Sequence, residues 1–266
     1  MGERVDHQNR LERREFKYFV HPARLDALRE AIRTVCEPDP NAGPSGGYAI
    51  RSLYFDTSDR ALYLANEIEM RDRFKLRVRS YPNAPGKNVF LEVKRRVGDV
   101  IVKTRTPVPL DSWADLVREP HRLSDLNLGE FHTQQAGRFL YHVHRYHLEP
   151  VVLVEYDRVA FFSTVDDYAR VTFDCAVRCQ SRSALDLNAN DRDWRPVDHP
   201  RRISLEHSMV IVELKFGAIV PRWMMALVQR FEMMRYSFSK YCFSLEAQEL
   251  LPGEHVAGRV PTLGGW

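Results

Sequence analysis

Nowhere in its 266 residues does the chain run apolar for about 18 positions, nor does it open on a charged-then-apolar leader, so neither a membrane span nor a secretion signal is expected. A cytoplasmic protein that does not insert into a membrane is the default. Cysteine is scarce: Cys36, Cys175, Cys179 and Cys242 are too few and too scattered for a disulfide framework, and none forms a Cys-x-x-Cys pair. Buried, reduced thiols are their simplest state. A strong charge of one sign is also missing. With a net charge of +3 and a pI near 8.7, the chain is not a uniform nucleic-acid coat. No repeat of fixed period appears. The length permits one large domain or two ordinary ones, and no boundary announces itself.

What is present is local. The stretch "RDRFKLRVRSY", residues 71 to 81, places Arg71, Arg73, Lys75, Arg77 and Arg79 on alternate positions. Phe74, Leu76 and Val78 fill the positions between, so one side of a strand is apolar and the other purely cationic. From residue 70 onward the period-two pattern recurs in "NVFLEVKRR", "VIVKTRTPV", "PVVLVEYDRVAFFS", "ARVTFDCAVRC" and "SMVIVELKF". "YAIRSLYFDT" is a further strand, with Asp56 or Thr57 turning into a short helix around "DRALYLANE". Helices are expected at 22–35, 111–118, 130–146 and 221–250, the last with Met224, Leu227, Val228 and Phe231 as its apolar stripe. The stretch 181–202 reads as a long surface loop. Many antiparallel-type strands with few helices imply an α+β protein built around a large sheet or barrel.

The charged side recurs strand by strand. Glu92 and Lys94 share a side, as do Lys103 and Arg105, Tyr156 and Arg158, Arg170, Thr172 and Asp174, and Glu213 and Lys215. Leu91, Val93, Val152, Val171, Phe173, Ile211 and Leu214 read as the opposite, apolar side, with Val154 out of pattern. For one strand alone a solvated basic face is the plain alternative. If the strands close into a barrel of about eight, the charged sides converge on a tunnel with room for one ligand, and helices cover the outside. Like charges 4 Å apart repel by about 4 kcal/mol at an effective dielectric near 20, so such a tunnel calls for a polyanion. Phosphate suits both the Arg fork and the Lys point charge. Glu15, Glu92 and Glu213, set among these cations, read either as ion-pair partners of their neighbours or as ligands for Mg²⁺ or Mn²⁺ bridging phosphate oxygens. Single-stranded nucleic acid would want stacking aromatics on the basic side, and Phe74, Phe173 and Phe216 have the other parity. His142, His144 and His147 in "YHVHRYH" read as packing or surface residues, and Cys175 and Cys179 as a reduced pair on one strand face.

Taken in order, "EFKY", "KLRVRSY", "FLEVKRR", "YDRVAFF", "ARVTFD", "VIVELKF" and "FSKYC" resemble the VTC domain, the polyphosphate polymerase module of the vacuolar transporter chaperone complex, among the CYTH-like triphosphate tunnel metalloenzymes. The resemblance runs from about residue 10 to 250 and implies a single domain over 1–266. It implies a closed antiparallel tunnel of about eight strands with flanking helices. There the γ-phosphoryl group of ATP or another nucleoside triphosphate joins a growing polyphosphate chain, with Mn²⁺ or Mg²⁺ as cofactor. Position by position, Lys17, Arg77, Arg79, Lys94, Arg158, Arg170, Lys215 and Lys240 look like phosphate-binding cations, with Lys103 a further contact and Tyr156 the accompanying hydroxyl. Arg77, Arg79, Lys94, Arg158 and Lys215 would act on the transferring group, and Glu213 would hold the metal. Ser237 stands where the pattern resembles a second lysine, and Arg13 where related triphosphatases have the first acidic residue of Glu-x-Glu-x-Lys. Hydrolysis of inorganic triphosphate or nucleotide, and non-catalytic polyphosphate binding, are the alternatives. A membrane protein that receives the product is a partner such a polymerase would use.

Overall fold

Strict alternation of charged and apolar side chains makes strands, and strands are the commonest regular element among the described residues. The computed structural model describes residues 14–248 apart from 45, 84–85, 99, 167 and 199–208, so Arg13 lies outside the described residues. In chain order the elements are β1 (Arg14–Val20), a 3₁₀ turn (Pro22–Arg24) leading into α1 (Leu25–Arg33), β2 (Cys36–Pro38), β3 (Tyr48–Asp56) and α2 (Ala61–Glu67). Next come β4 (Asp72–Ser80), β5 (Asn88–Val97), β6 (Val100–Pro109), α3 (Trp113–Arg118), a second 3₁₀ turn (Pro120–Asp125) and α4 (Glu130–Arg145). The remainder comprises β7 (Glu149–Ser163), β8 (Ala169–Ser181), β9 (Arg195–Pro196), β10 (Val210–Phe216), α5 (Arg222–Arg230), β11 (Met234–Arg235) and α6 (Lys240–Ala247).

The eleven strands form one antiparallel sheet in the order β11-β1-β10-β8-β7-β3-β4-β5-β6, with β2 beside β7 and β9 beside β8. This corrects the expected closed barrel of about eight strands. The path has two ends, and among the described residues no backbone ladder joins β6 to β11 or β1. The sheet nevertheless curls far enough for side chains to meet across the seam: Lys94 on β5 reaches Glu15 on β1 at 3.4 Å, and Lys75 on β4 donates to Ser239 at 2.7 Å. β11 is only two residues long before the chain leaves it for α6, too short an edge to carry a closing ladder.

Apolar residues on the convex side are covered by helices. α3 and α4 pack on Leu53, Leu76, Val78, Leu91 and Val93, while α1 and α5 pack on Val171, Phe173, Val212 and Leu214. Val152 and Ile211, expected on that outer side, instead face inward with Val154 and pack beneath α6. The inward parity of β7 is therefore unbroken from Val152 to Arg158; its apolar part meets a helix and its polar part does not. At the start of α2 both capping candidates act: Asp56 accepts from the amides of Leu62 and Tyr63 at 2.8 and 3.0 Å, and Thr57 Oγ1 from Ala61 at 2.8 Å.

The helix expected over 221–250 is broken. Glu232 takes a positive φ of 47°, β11 pairs with β1, and a new helix starts after Ser239, whose hydroxyl accepts from Cys242 N. Of the loop expected over 181–202, residues 199–202 lie outside the described residues, and the rest is less of a loop than expected: β9 pairs with β8, and buried Asp198 accepts from Val177 N at 3.0 Å. Cys175 and Cys179 do not share a face. Ala176, at φ 52°, forms a bulge opposite β7, after which Cys179 points into the core under α6 while Cys175 stays with the outer cluster. His144 bonds the Val117 carbonyl and His142 that of Arg138. Among the described residues no helix is long and apolar enough to cross a membrane.

Candidate functional site

Curling of the sheet turns its charged side inward around a cavity of about 1560 Å³. Sixteen Lys and Arg side chains line it, against four carboxylates; Glu92 and Asp174, buried just behind the lining, raise the carboxylates to six. That excess of ten exceeds the net +3 of the whole chain, so the rest of the protein is net acidic and the positive charge is segregated into the cavity. β4 contributes Arg73, Lys75, Arg77 and Arg79; Arg71 precedes the strand and does not line the cavity.

The carboxylates organise the cations into groups. Glu213 on β10 lies 2.7 Å from Lys215, 3.1 Å from Arg158, 3.3 Å from Lys240 and 3.7 Å from Lys17. Behind it Asp174, wholly inaccessible to solvent, accepts two 2.6 Å hydrogen bonds from the Arg158 guanidinium and holds Lys240 at 2.5 Å. On the opposite side of β3, Glu92 is ringed by Arg77 at 2.6 Å, Lys103 at 3.2 Å, Arg79 at 3.6 Å and Arg105 at 3.7 Å. Glu15 on β1 sits 3.4 Å from both Lys17 and Lys94. Lys17 thus touches Glu15 and Glu213 together, and its ammonium also donates to the Phe238 carbonyl at 2.7 Å.

Residues 12–248 match the family model of the VTC domain. The chain belongs to the VTC domain family. No curated protein matches this VTC domain. Among solved structures it is similar to the PH1819 protein from Pyrococcus horikoshii, at 12% identity and a TM-score of 0.44 over 87% of this chain and 94% of that one. It is likewise similar to a proposed adenylate cyclase from Bacillus halodurans, at 13% identity and a TM-score of 0.45 over 86% and 96%. A third is the Mimivirus capping enzyme triphosphatase, at 8% identity and a TM-score of 0.33 over 84% and 90%.

All ten candidate phosphate contacts of this VTC domain, Lys17, Arg77, Arg79, Lys94, Lys103, Tyr156, Arg158, Arg170, Lys215 and Lys240, line the one cavity, as do Glu15 and Glu213. Glu92 stands apart from those two carboxylates in its own ring of cations. Among the described residues no three His, Cys, Asp or Glu side chains gather as a metal cage. Sequence reasoning did not nominate Asp174, Lys75 or Arg105, although alternation had put Asp174 on the side of Arg170 and Arg105 on that of Lys103. It also examined the wrong aromatics. Phe74, Phe173 and Phe216 do face outward, but Tyr48, Tyr81, Phe90, Phe162 and Tyr168 line the cavity.

The electrostatics follow from crowding. Burial pushes the Glu213 carboxyl upward, yet Lys215, Lys240, Arg158 and Lys17 outweigh it and hold the group well below the usual carboxylate range. Glu92 is lowered in the same way, burial being overcome by Arg79, Lys103, Arg77 and Arg105, and Glu15 by Lys94 and Lys17 against burial and Glu213. Two lysines of the open wall are lowered as well, which for a lysine favours the neutral form. Burial, with Lys17 and Lys94 adding to it, lowers Lys75 to about 8. Burial and the three arginines around Glu92 lower Lys103 to about 7, although water reaches 41% of its side chain and offsets part of that desolvation. Lysines lowered first by burial and then by neighbouring cations signal a site short of negative charge.

Proposed function

We propose that this VTC domain is a phosphoryl-transfer enzyme, a polyphosphate polymerase that moves the γ-phosphoryl group of a nucleoside triphosphate such as ATP onto the end of a polyphosphate chain held in the cavity. The observation that carries this reading is the excess of ten cations around one cavity. Such repulsion is relieved when a polyanion fills the space, and a string of phosphates matches both the charge and the donor chemistry of Arg forks and Lys ammonium groups.

Phosphoryl transfer asks a protein for positioning and charge neutralisation rather than a covalent nucleophile. Arg158 is held rigid by the paired hydrogen bonds it donates to Asp174. Lys240 is fixed by Asp174 and Glu213 over the Tyr156 ring, 4.6 Å from its centroid. Arg77, its guanidinium tied to Glu92 and to the Tyr54 hydroxyl at 2.7 Å, faces the cavity with Arg79 from another wall. Together with Lys94 and Lys215 these groups would meet the equatorial oxygens of the transferring phosphoryl group, and donors so aimed each contribute about 3 kcal/mol.

Mg²⁺ or Mn²⁺ asks for one or two carboxylates plus substrate oxygens. Glu213 and Glu15, both held ionised and meeting at Lys17, offer that donor set and would hold the ion. Bound there, the ion would neutralise charge on the phosphate oxygens. Glu92, already balanced by four cations, acts instead as the counter-charge that keeps them aimed.

Incubating the purified protein with ATP and Mn²⁺, then separating long-chain polyphosphate from free phosphate, tests the proposal. Long chains are expected. Free phosphate alone would mark a triphosphatase, and no metal-dependent turnover would leave a binding module. Glu213→Gln should lower turnover by about a hundredfold or more while leaving phosphate affinity in place, since the cations remain. Unchanged turnover removes Glu213 from the metal site.

A further inference from the structure

Inorganic polyphosphate presents only charged oxygens and has no use for a flat apolar surface. One rim of the cavity nonetheless carries several. Tyr48 opens β3, Tyr81 follows the end of β4, and Phe90 lies near the start of β5; pairing of Arg79 with Phe90 and of Arg51 with Ser80 brings these ends to the same edge. All three rings are partly exposed and line the cavity, whereas Tyr54, Tyr156, Tyr241 and Phe238, deeper in, are buried. Tyr48 and Tyr81 meet edge to face at 5.7 Å, as do Tyr81 and Phe90 at 5.9 Å.

Arg105 completes a platform. Its guanidinium lies 3.7 Å over the Phe90 ring and donates to the Tyr81 hydroxyl at 3.0 Å, with 36% of the side chain exposed. A guanidinium plane backed by an aromatic ring is a surface on which a nucleobase stacks. Asp39 stands on the same rim, 8% exposed, its carboxylate accepting from the Tyr48 hydroxyl at 3.0 Å and from Asn41. A carboxylate there repels phosphate but accepts from hydroxyl donors such as those of a ribose.

We infer that this rim is a nucleoside subsite: the base of a nucleoside triphosphate stacks on the Arg105–Phe90 platform beside Tyr81, the ribose hydroxyls face Asp39, and the phosphates run inward. The assignment rests on the reading that the cavity takes a nucleoside triphosphate, and it sets the direction of loading, because the opposite end is occupied by α6 and its apolar core. Arg105 would then serve both portions of the ligand, base on its open plane and phosphate field through its place in the Glu92 ring.

Calorimetric titration with ATP and, separately, with inorganic tripolyphosphate, in EDTA so that nothing turns over, tests this on the wild type, Phe90→Leu and Tyr81→Leu. Melting temperature confirms that each variant is folded, and leucine keeps the apolar volume. ATP affinity is expected to fall about 5- to 100-fold in Phe90→Leu, the range that one base–aromatic stack supplies, with tripolyphosphate affinity changed by less than about twofold. A smaller fall of the same selectivity is expected for Tyr81→Leu. Equal losses for both ligands, or no loss of ATP affinity in either variant, overturn the subsite. A wild type that takes tripolyphosphate but not ATP overturns it too while sparing the phosphate-handling reading; one that takes neither ends both.

Discussion

Asp174 never lines the cavity, yet two cations that do are aimed by it. Its carboxylate is completely buried, and neutralising it leaves Arg158 and Lys240 with uncompensated charge in a low-dielectric site, the arrangement in which loss of one partner costs about 3–5 kcal/mol. Asp174→Asn should therefore lower the free energy of unfolding by that order in urea denaturation and weaken tripolyphosphate binding with it. Lys75 makes a different prediction. Burial holds it at about 8 in the empty cavity, below the ordinary lysine value near 10.4, and a bound polyanion restores its proton. Between those limits binding should take up about one proton at Lys75, and affinity should fall as pH rises. Calorimetry at pH 9 in two buffers of different ionisation enthalpy measures the uptake, and Lys75→Met should reduce it by about one proton per site.

The strands depend on close backbone approaches that a single atom can spoil. A Cβ on Gly47, just before β3, would stand 2.7 Å from the Arg158 carbonyl oxygen and 3.1 Å from Val159 Cγ2. Backbone, not a movable side-chain tip, would have to give way, and the first pair of the β3–β7 ladder is Tyr48 with Arg158. Gly47→Ala should cost about 1–3 kcal/mol in thermal or denaturant unfolding and weaken tripolyphosphate binding, because the strand that carries Arg158 shifts. Wild-type values for both would show the ladder to be more pliable than the contact implies. α6 is pinned in comparable fashion: buried Tyr241 donates its hydroxyl to Asp56, the residue that also caps α2, and stacks on Tyr54 at 5.1 Å. That anchorage fixes where Lys240, the first residue of the helix, enters the cavity.

Segregated charge should make the empty molecule self-repulsive and its ligand stabilising. Tripolyphosphate at about 100 times its dissociation constant should add near 2.7 kcal/mol, raising the melting temperature by roughly 5–10 °C for a chain of this size. The shift should shrink in high salt as the field is screened; its absence at low salt would mean that the cations do not act on one ligand. Much of this was legible beforehand. Strands β4 to β8 and β10 and the cationic parity of β4 follow from period-two alternation, a local property set by how successive Cβ atoms point to opposite faces. The ten candidate phosphate contacts came instead from the family resemblance, Lys240 among them lying on a helix. Alternation is blind to the Ala176 bulge, which inserts a residue without disturbing composition and so sends Cys175 and Cys179 to different sides. It is equally blind to what covers a face, which is why Val152 and Ile211 were read as outward when they lie beneath α6. Side and polarity were thus written in the order of residues along each strand. How far the sheet curls, the meeting of Glu15 with Lys94 across an unclosed seam, the enclosure of Glu92 by four cations and the gathering of Tyr48, Tyr81 and Phe90 on one rim were not, because each depends on pairing order, twist and contacts between segments far apart in the chain.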